Sequence, residues 1–528
     1  MQRRTDRYPK KYVRTWQGAL GLLLAGGMLL TGCSGTSTGN KSTADRRGGA
    51  LPAPGPAASG GAADGAEERN GLEESAPPDY LSTFALDVDT ASYGYARRTL
   101  ADGGLPEPST VRPEEFVNSF RQGYRRPDGN GFSVNVDGAR AGGGDWSLVR
   151  VGLATRAAPA RDERPPAALT FVVDTSGSMA EADRLDLVKK SLDLLTDELR
   201  DDDSVSLVTF SDETRTLLPM TRLRDHRGRI RDRVDAMEPT GSTNVEAGVR
   251  RGYEEAVDGH VEGANNRVVL LSDALANTGE TDADAILERI GSARRDYGIT
   301  LFGVGVGSDY GDALMERLTD KGDGHTTYVA DEEQARKVFV DQLPAHLELT
   351  ARDAKAQVAF DRKTVARFEL IGYEDRKVAD EDFRNDRVDG GEVGPGHTVT
   401  ALYAVQLRPG AEGRVATATV RWLDPRTRAP HEQRGTVGTG AIGQPLWGGG
   451  SKRLQVDAVA AYFAEELRGG RLPGAPGLGE LASRARKLAS ATEDDSVRKL
   501  ATMIGQAGRL KNGAGEGGSG EAPEGELG

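Results

Sequence analysis

The chain has 528 residues, enough for two or three domains, and carries a formal net charge of −13 with a pI near 5.2. That balance argues against a nucleic-acid partner, which would demand a basic face. Cys33 is the only cysteine, so no intramolecular disulfide can staple the fold, which must rest on its apolar core.

At the N-terminus, Arg3, Arg4, Lys10, Lys11 and Arg14 precede the apolar run ALGLLLAGGMLL at 19–30. This is the layout of a secretory signal peptide, and the run is too short to span a bilayer as a helix. Leu30-Thr31-Gly32-Cys33 resembles the bacterial lipobox. The resemblance implies removal of residues 1–32, lipidation of Cys33, and anchoring to the extracytoplasmic side of the cell membrane or envelope. An ordinary signal peptide with a chance cysteine is the alternative. Residues 33–78 are rich in Gly, Ala, Ser and Pro and read as a disordered linker, because they have too little apolar surface to offset the entropy of ordering. The tail 511–528 reads the same way.

Order is expected from about residue 79. An N-terminal region, 79–160, shows a short strand (FALDVDT), a helix (TASYGYARRTLADG) and a second helix opened by Ser109, Thr110 and Pro113. Two alternating strands, FSVNV at 132–136 and WSLVRVGLA at 146–154, close it. From 167 to 345 the pattern becomes apolar strands separated by helices. AALTFVV, SVSLVTF (204–210), NRVVLLSD (266–273), ITLFGVGVG (299–307) and HTTYVA (325–330) are the strands. Leu185, Val188, Leu192, Leu195 and Leu199 recur at helical spacing after the first strand, and VEAGVRRGYEEAV, 282–295, 312–318 and DEEQARKVFVDQL supply further helices. Such alternation implies a mostly parallel sheet covered on both faces.

Residues 346–510 change character again. AQVAFD, VARFELIGYE, TVTALYAVQL and RVATATVRWL alternate as four strands, and 452–468 and 477–509 are helical. The β-rich flanks, roughly 130–157 and 352–425, are each short for a sandwich. The expected architecture is therefore α/β: a Rossmann-like, mostly parallel sheet flanked by helices, inserted between flanks that pair into one β domain, with C-terminal helices.

In open α/β sheets ligands collect beyond the carboxyl ends of the strands. Three polar clusters fall there: Asp174-Thr-Ser176-Gly-Ser178, Thr240-Gly-Ser-Thr243-Asn244, and Ser272-Asp273. Their order and spacing resemble the von Willebrand factor type A (vWA) domain and its metal-ion-dependent adhesion site. The resemblance assigns Asp174, Ser176, Ser178, Thr243 and Asp273 as the metal set, and all five match in type. One departure is Ala274, where the family often has Gly. Hydroxyl and carboxylate oxygens suit a hard divalent cation, Mg²⁺ in first place, with Mn²⁺ and Ca²⁺ as alternatives. The resemblance also implies a protein ligand that offers an acidic residue to the metal. FALDVDTASYGYARRTL, RPEEFVNSF, FELIGYEDR, DFRND and GEVGPGHTVTALYAV further resemble the flanks of one group of bacterial vWA lipoproteins. Taken singly, each site residue has a plainer reading. Ser176 and Ser178 could cap the next helix, Thr243 could cap 245–257, and Asp273 could be a solvated strand end.

Catalytic patterns are weak. Asp174-Thr-Ser-Gly lacks the Gly that an aspartic protease needs at Ser176. Asp87-Val-Asp89 is similar to a haloacid dehalogenase loop but carries Ala91 where Thr or Val is needed, and it reads as a strand-to-helix turn. Gly303-Val-Gly305-Val-Gly307 has the wrong spacing for a dinucleotide fold. Asp128-Gly-Asn-Gly reads as a hairpin turn. The six histidines, including His325 and His397 at strand starts, do not cluster in sequence. The expected function is a non-enzymatic, surface-anchored binding module. A metal-dependent hydrolase and an envelope-assembly scaffold with a structural metal are the alternatives.

Overall fold

The computed structural model describes residues 79–516 apart from 87–88, 143–145, 158–163, 182–183, 274–281, 308–312, 321–325, 330, 343–348, 389 and 426. The signal segment, Cys33, the linker to 78, Ala274 and His325 lie outside the described residues.

Before the insertion come β1 (Leu81–Ala85), α1 (Ala91–Ala101), α2 (Pro113–Asn118), β2 (Phe132–Arg140) and β3 (Trp146–Thr155). The inserted part holds β4 (Ala167–Asp174), α3 (Leu185–Glu198), β5 (Ser204–Phe210), β6 (Thr214–Arg222), α4 (Arg227–Asp235), α5 (Val245–Asp258) and β7 (Asn265–Ser272). It continues through α6 (Ala283–Tyr297), β8 (Thr300–Val306), α7 (Ala313–Asp320), β9 (Thr326–Val329) and α8 (Glu332–Arg336). After it come β10 (Ala351–Phe360), β11 (Val365–Leu370), β12 (Gly391–Val393), β13 (Thr398–Leu407), β14 (Arg414–Leu423) and β15 (Pro430–Gly438). The helices α9 (Lys452–Arg468), α10 (Leu478–Thr492) and α11 (Asp495–Glu516) follow.

The inserted sheet runs β6-β5-β4-β7-β8-β9, parallel except for β6, which returns antiparallel on β5. β4 shows why it sits centrally. Leu169, Phe171 and Val173 feed one apolar core with α3, α4 and α8, while Val172 feeds the other with α5, α6 and α7. A strand buried on both faces needs an uninterrupted apolar run, and AALTFVV supplies it.

The flanks form two sheets, and each draws strands from both sides of the insertion. One runs β1-β10-β14-β15, with β12 also on β10, and the other runs β11-β13-β3-β2. β1 pairs with β10 across Phe84–Ala356, and β3 pairs with β13 across Val149–Tyr403. Phe84, Val149, Val151, Val358, Tyr403 and Val420 share one core, so neither flank completes a sandwich alone. The other face of β3 and β13 carries Leu148, Leu402 and Ala404 into a core with α2, α9, α10 and α11. There the Arg150 guanidinium donates to Asp457 Oδ2 of α9 at 2.8 Å, and Gln122 Nε2 donates to the other oxygen at 2.9 Å.

Several elements differ from the sequence reading. The first strand is LSTFA, shifted toward the N-terminus of FALDVDT. Six strands, not four, follow the insertion, and β6 and α4 were not expected within it. The stretch after Asp331 is a short α-helix continuing as a π-helical turn over Lys337–Gln342. The second C-terminal helix breaks at Glu493, whose φ is +50°, and the last helix runs on to Glu516, past the expected tail start at Lys511.

Asp89, read from the sequence as a turn residue, is a joint between three parts of the chain. Its Oδ1 accepts from the Thr326 amide of β9 at 3.0 Å, and its Oδ2 from the Arg376 guanidinium after β11 at 2.9 Å. Both side chains are buried. Removing one partner of a buried pair leaves an uncompensated charge, which typically costs about 3–5 kcal/mol. Asp89→Ala should therefore lower the chain's unfolding free energy by about that amount in denaturant titration. A loss below about 1 kcal/mol would mean that the joint carries little of the stability.

Candidate metal centre

The five sequence-assigned residues lie on three loops at the carboxyl end of the inserted sheet. Asp174 ends β4, and Ser176 and Ser178 follow it directly. Thr243 precedes α5, and Asp273 follows β7, the neighbour of β4. Two backbone bonds pin the Thr243 loop against the first: the Gly177 amide donates to the Gly241 carbonyl at 3.0 Å, and the Thr240 amide to the Thr175 carbonyl at 2.6 Å. The Asn244 amide ties its far end to the Ser211 carbonyl after β5 at 3.2 Å. Gly241 is required there. Its φ is +71°, and a Cβ would sit 2.3 Å from Asp212 Oδ2, the carboxylate that also accepts from the Ser242 amide at 3.1 Å.

The capping alternatives meet the geometry directly. Ser176 stands at the N-cap of the 3₁₀ turn Gly177–Ala180 without a side-chain capping bond. The N-cap of α3 is Arg184, also without one. The serine hydroxyls instead lie 3.1 Å from each other. The cap of α5 is Asn244, whose side chain accepts from the Ala247 amide at 3.0 Å, so Thr243 is not the N-cap. Asp273 is 2% exposed, which rules out a solvated strand end.

The electrostatics are those of a carboxylate pair held out of water. Asp174 is fully buried, with Oδ1 accepting from the Ser176 amide at 2.8 Å and Oδ2 from the Ser272 hydroxyl at 2.6 Å. Burial pushes its carboxyl up to about 6, the negative charge of Asp273 adds to the rise, and the Ser272 and Ser176 hydrogen bonds oppose it. Asp273 Oδ2 accepts from Arg184 Nη1 at 2.7 Å, but its Oδ1 is buried with no hydrogen-bond partner. An orphaned buried carboxylate oxygen, a second desolvated carboxylate, two serine hydroxyls in contact and a threonine on the adjoining loop are a donor set that fits a hard divalent cation.

Arg184 was not foreseen from the sequence. It is 2% exposed, bonds the Ser178 carbonyl at 3.2 Å and pairs with Glu181 at 2.8 Å as well as with Asp273. Gly307 after β8 makes room for it: a Cβ there would lie 2.8 Å from Arg184 Nε. Arg184 meets Asp273 across 89 residues, and nothing in the local pattern DRL signals that contact. Ser272, which holds Asp174, was visible only as a neighbour of Asp273.

Comparison with known proteins identifies the family of the inserted domain and its flanks. Residues 168–341 match the model of the von Willebrand factor type A domain. Residues 345–510 match the model described as uncharacterized protein YfbK, C-terminal, and residues 66–145 one described as von Willebrand factor. The uncharacterized protein YfbK of Escherichia coli (strain K12) is 33% identical over 416 residues, covering 74% of this chain and 71% of that protein. The chain belongs to this family of vWA-domain proteins. The uncharacterized protein sll0103 of Synechocystis sp. is 26% identical over 191 residues, 36% of this chain and 44% of that protein. Human inter-alpha-trypsin inhibitor heavy chain H3 is 25% identical over 213 residues, 39% of this chain and 24% of its own length. Among solved structures, the von Willebrand factor type A protein from Catenulispora acidiphila covers 72% of this chain and 91% of its own at 16% identity, with a TM-score of 0.44.

Replacing Arg184 by Met keeps much of its volume and removes the charge facing Asp273. In metal-free buffer this variant should lose about 3–5 kcal/mol of stability, read by denaturant titration, because two buried carboxylates are left without a counter-charge. Stability equal to the parent would show that the Asp273 charge needs no such partner.

Proposed function

We propose that this protein is an exported, lipid-anchored binding module whose vWA domain grips a protein ligand through a divalent cation. Mg²⁺ is the first choice, with Mn²⁺ or Ca²⁺ as alternatives. The observation that carries the reading is the buried, partnerless Oδ1 of Asp273 beside the buried carboxyl of Asp174, both on loops that also carry Ser176, Ser178 and Thr243. Asp174, Asp273 and the three hydroxyls would hold the cation. When bound, it supplies a positive centre able to accept a carboxylate from the partner. The chain's own groups tune that centre. Arg184 neutralises part of the Asp273 charge, so the site carries less negative charge toward an incoming acidic residue.

The role is one of binding and not of catalysis. Asp174 accepts a hydrogen bond on each oxygen and Asp273 pairs through Oδ2 with Arg184, contacts that fix both carboxylates in place for holding a cation. The motif LTGC after a short apolar run supports the reading that Cys33 is lipidated and that the domain lies outside the cytoplasm.

Two experiments test this. Affinity capture from envelope extracts with the full chain should retain a partner in Mg²⁺ and lose it in excess chelator. Asp174→Ala should abolish capture with only a small change in unfolding temperature, and retained capture would mean that the cation is not the grip. Separately, Cys33→Ala should move the protein from the membrane fraction to the soluble one. A variant that stays membrane-bound at high salt would exclude a lipid anchor at this cysteine.

A further inference from the structure

A cavity of about 830 Å³ lies between the inserted domain and the β sandwich. It opens at the amino ends of β7 and β8, the end of the parallel sheet opposite Asp174. Pockets of this size at domain junctions are common ligand sites. What distinguishes this one is a set of buried polar atoms on its walls that find no partner.

Arg267 is 4% exposed, and its Nε donates to the Thr300 hydroxyl at 2.9 Å while Nη1 has no acceptor. Asn265 Nδ2 and Arg352 Nε are likewise buried donors without acceptors, and the Thr350 hydroxyl is buried without a partner. All four residues line the cavity, two from the inserted domain and two from the segment entering the sandwich. Buried donors in native proteins are almost always satisfied by protein, water or a ligand. All four belong to residues that border one open space.

The charges point the same way. Burial disfavours the charge on Arg267, the Glu392 carboxylate supports it, and the like charge of Arg352 opposes it more weakly than Glu392 supports it. Among the described residues of the wall, Arg156 adds a third guanidinium, against the carboxylate of Asp424. In a chain of net charge −13 this is a local excess of cations among the described lining residues. A guanidinium presents a planar fork of N–H donors that matches phosphate and carboxylate oxygens, and two forks beside an amide donor suit an oxyanion. A bare anion would leave most of the volume empty. His431, stacked on Trp422 at 5.4 Å, and His260, edge-on to Tyr297 at 5.5 Å, line the remainder with rings.

We propose that this cavity binds a small molecule bearing a phosphate or carboxylate group, held by Arg267 and Arg352 with the Asn265 amide. The site is separate from the cation centre and bridges the inserted domain to the sandwich.

Calorimetric titration of the full chain with inorganic phosphate, and separately with citrate, at constant ionic strength tests this. Saturable binding of at least one anion is expected, and the stronger arm tells phosphate from carboxylate chemistry. Arg352→Gln should weaken that binding at least tenfold, Arg352→Lys should weaken it less, and Asp174→Ala should leave it unchanged. Arg352 is the better target because it is only partly buried, whereas Arg267 packs inside the domain. The proposal is overturned if neither anion binds, if Arg352→Gln binds as the parent does, or if Asp174→Ala removes the binding.

Discussion

Asp174 and Asp273 are two carboxylates on adjacent strand ends, both out of water and each acting on the other's charge. Burying like charges together is unfavourable unless something compensates, and most local features of this end of the sheet answer that constraint. The Ser176 amide and Ser272 hydroxyl hold the oxygens of Asp174, and Arg184 takes one oxygen of Asp273. Gly307 leaves space for that arginine, and Gly241 lets the Thr243 loop close over Asp212. One carboxylate oxygen is still left without a partner. On the proposed reading, the cation takes up what the protein leaves uncompensated.

The insertion explains how so polar a centre can be tolerated. The inserted sheet has an apolar core on each face and does not depend on the loops at its carboxyl end for cohesion. At its edge, Asp89 ties β9 to α1 and to Arg376 of the sandwich. The sandwich is closed by strands from both sides of the insertion, so the domain leaves and re-enters one folded body. The two ends of the inserted sheet are thereby specialised. The carboxyl end carries the buried carboxylate pair, and the amino end meets the sandwich across a cavity lined in part by arginines.

Much of this could be read in the sequence because it is written in short-range patterns. The five parallel strands are apolar runs, the covering helices have a 3.6-residue period, and the oxygen-bearing residues follow strands directly. Most of the elements that were missed bury little, while β12 is buried throughout but only three residues long. In β6 only Leu218 is buried, and the strand contains Pro219, tolerable at a sheet edge. In β15 only Val437 is buried, and α4 buries only Ile230 and Val234 in an arginine-rich stretch. Edge elements carry weak periodicity, so pattern alone cannot find them. Arg184, Ser272 and the residues of the inter-domain cavity were missed for a different reason. Their roles come from contacts between distant parts of the chain, as when His260 and His431, scattered in sequence, line one cavity.

The account stands or falls on whether the two carboxylates and three hydroxyls take up one divalent cation. Calorimetric titration of Mg²⁺ into the metal-free chain measures this without knowledge of any partner. A single saturable site, lost when Ser176 and Ser178 are both replaced by Ala, is the predicted result. No saturable heat, or an unchanged isotherm in the double variant, would contradict it.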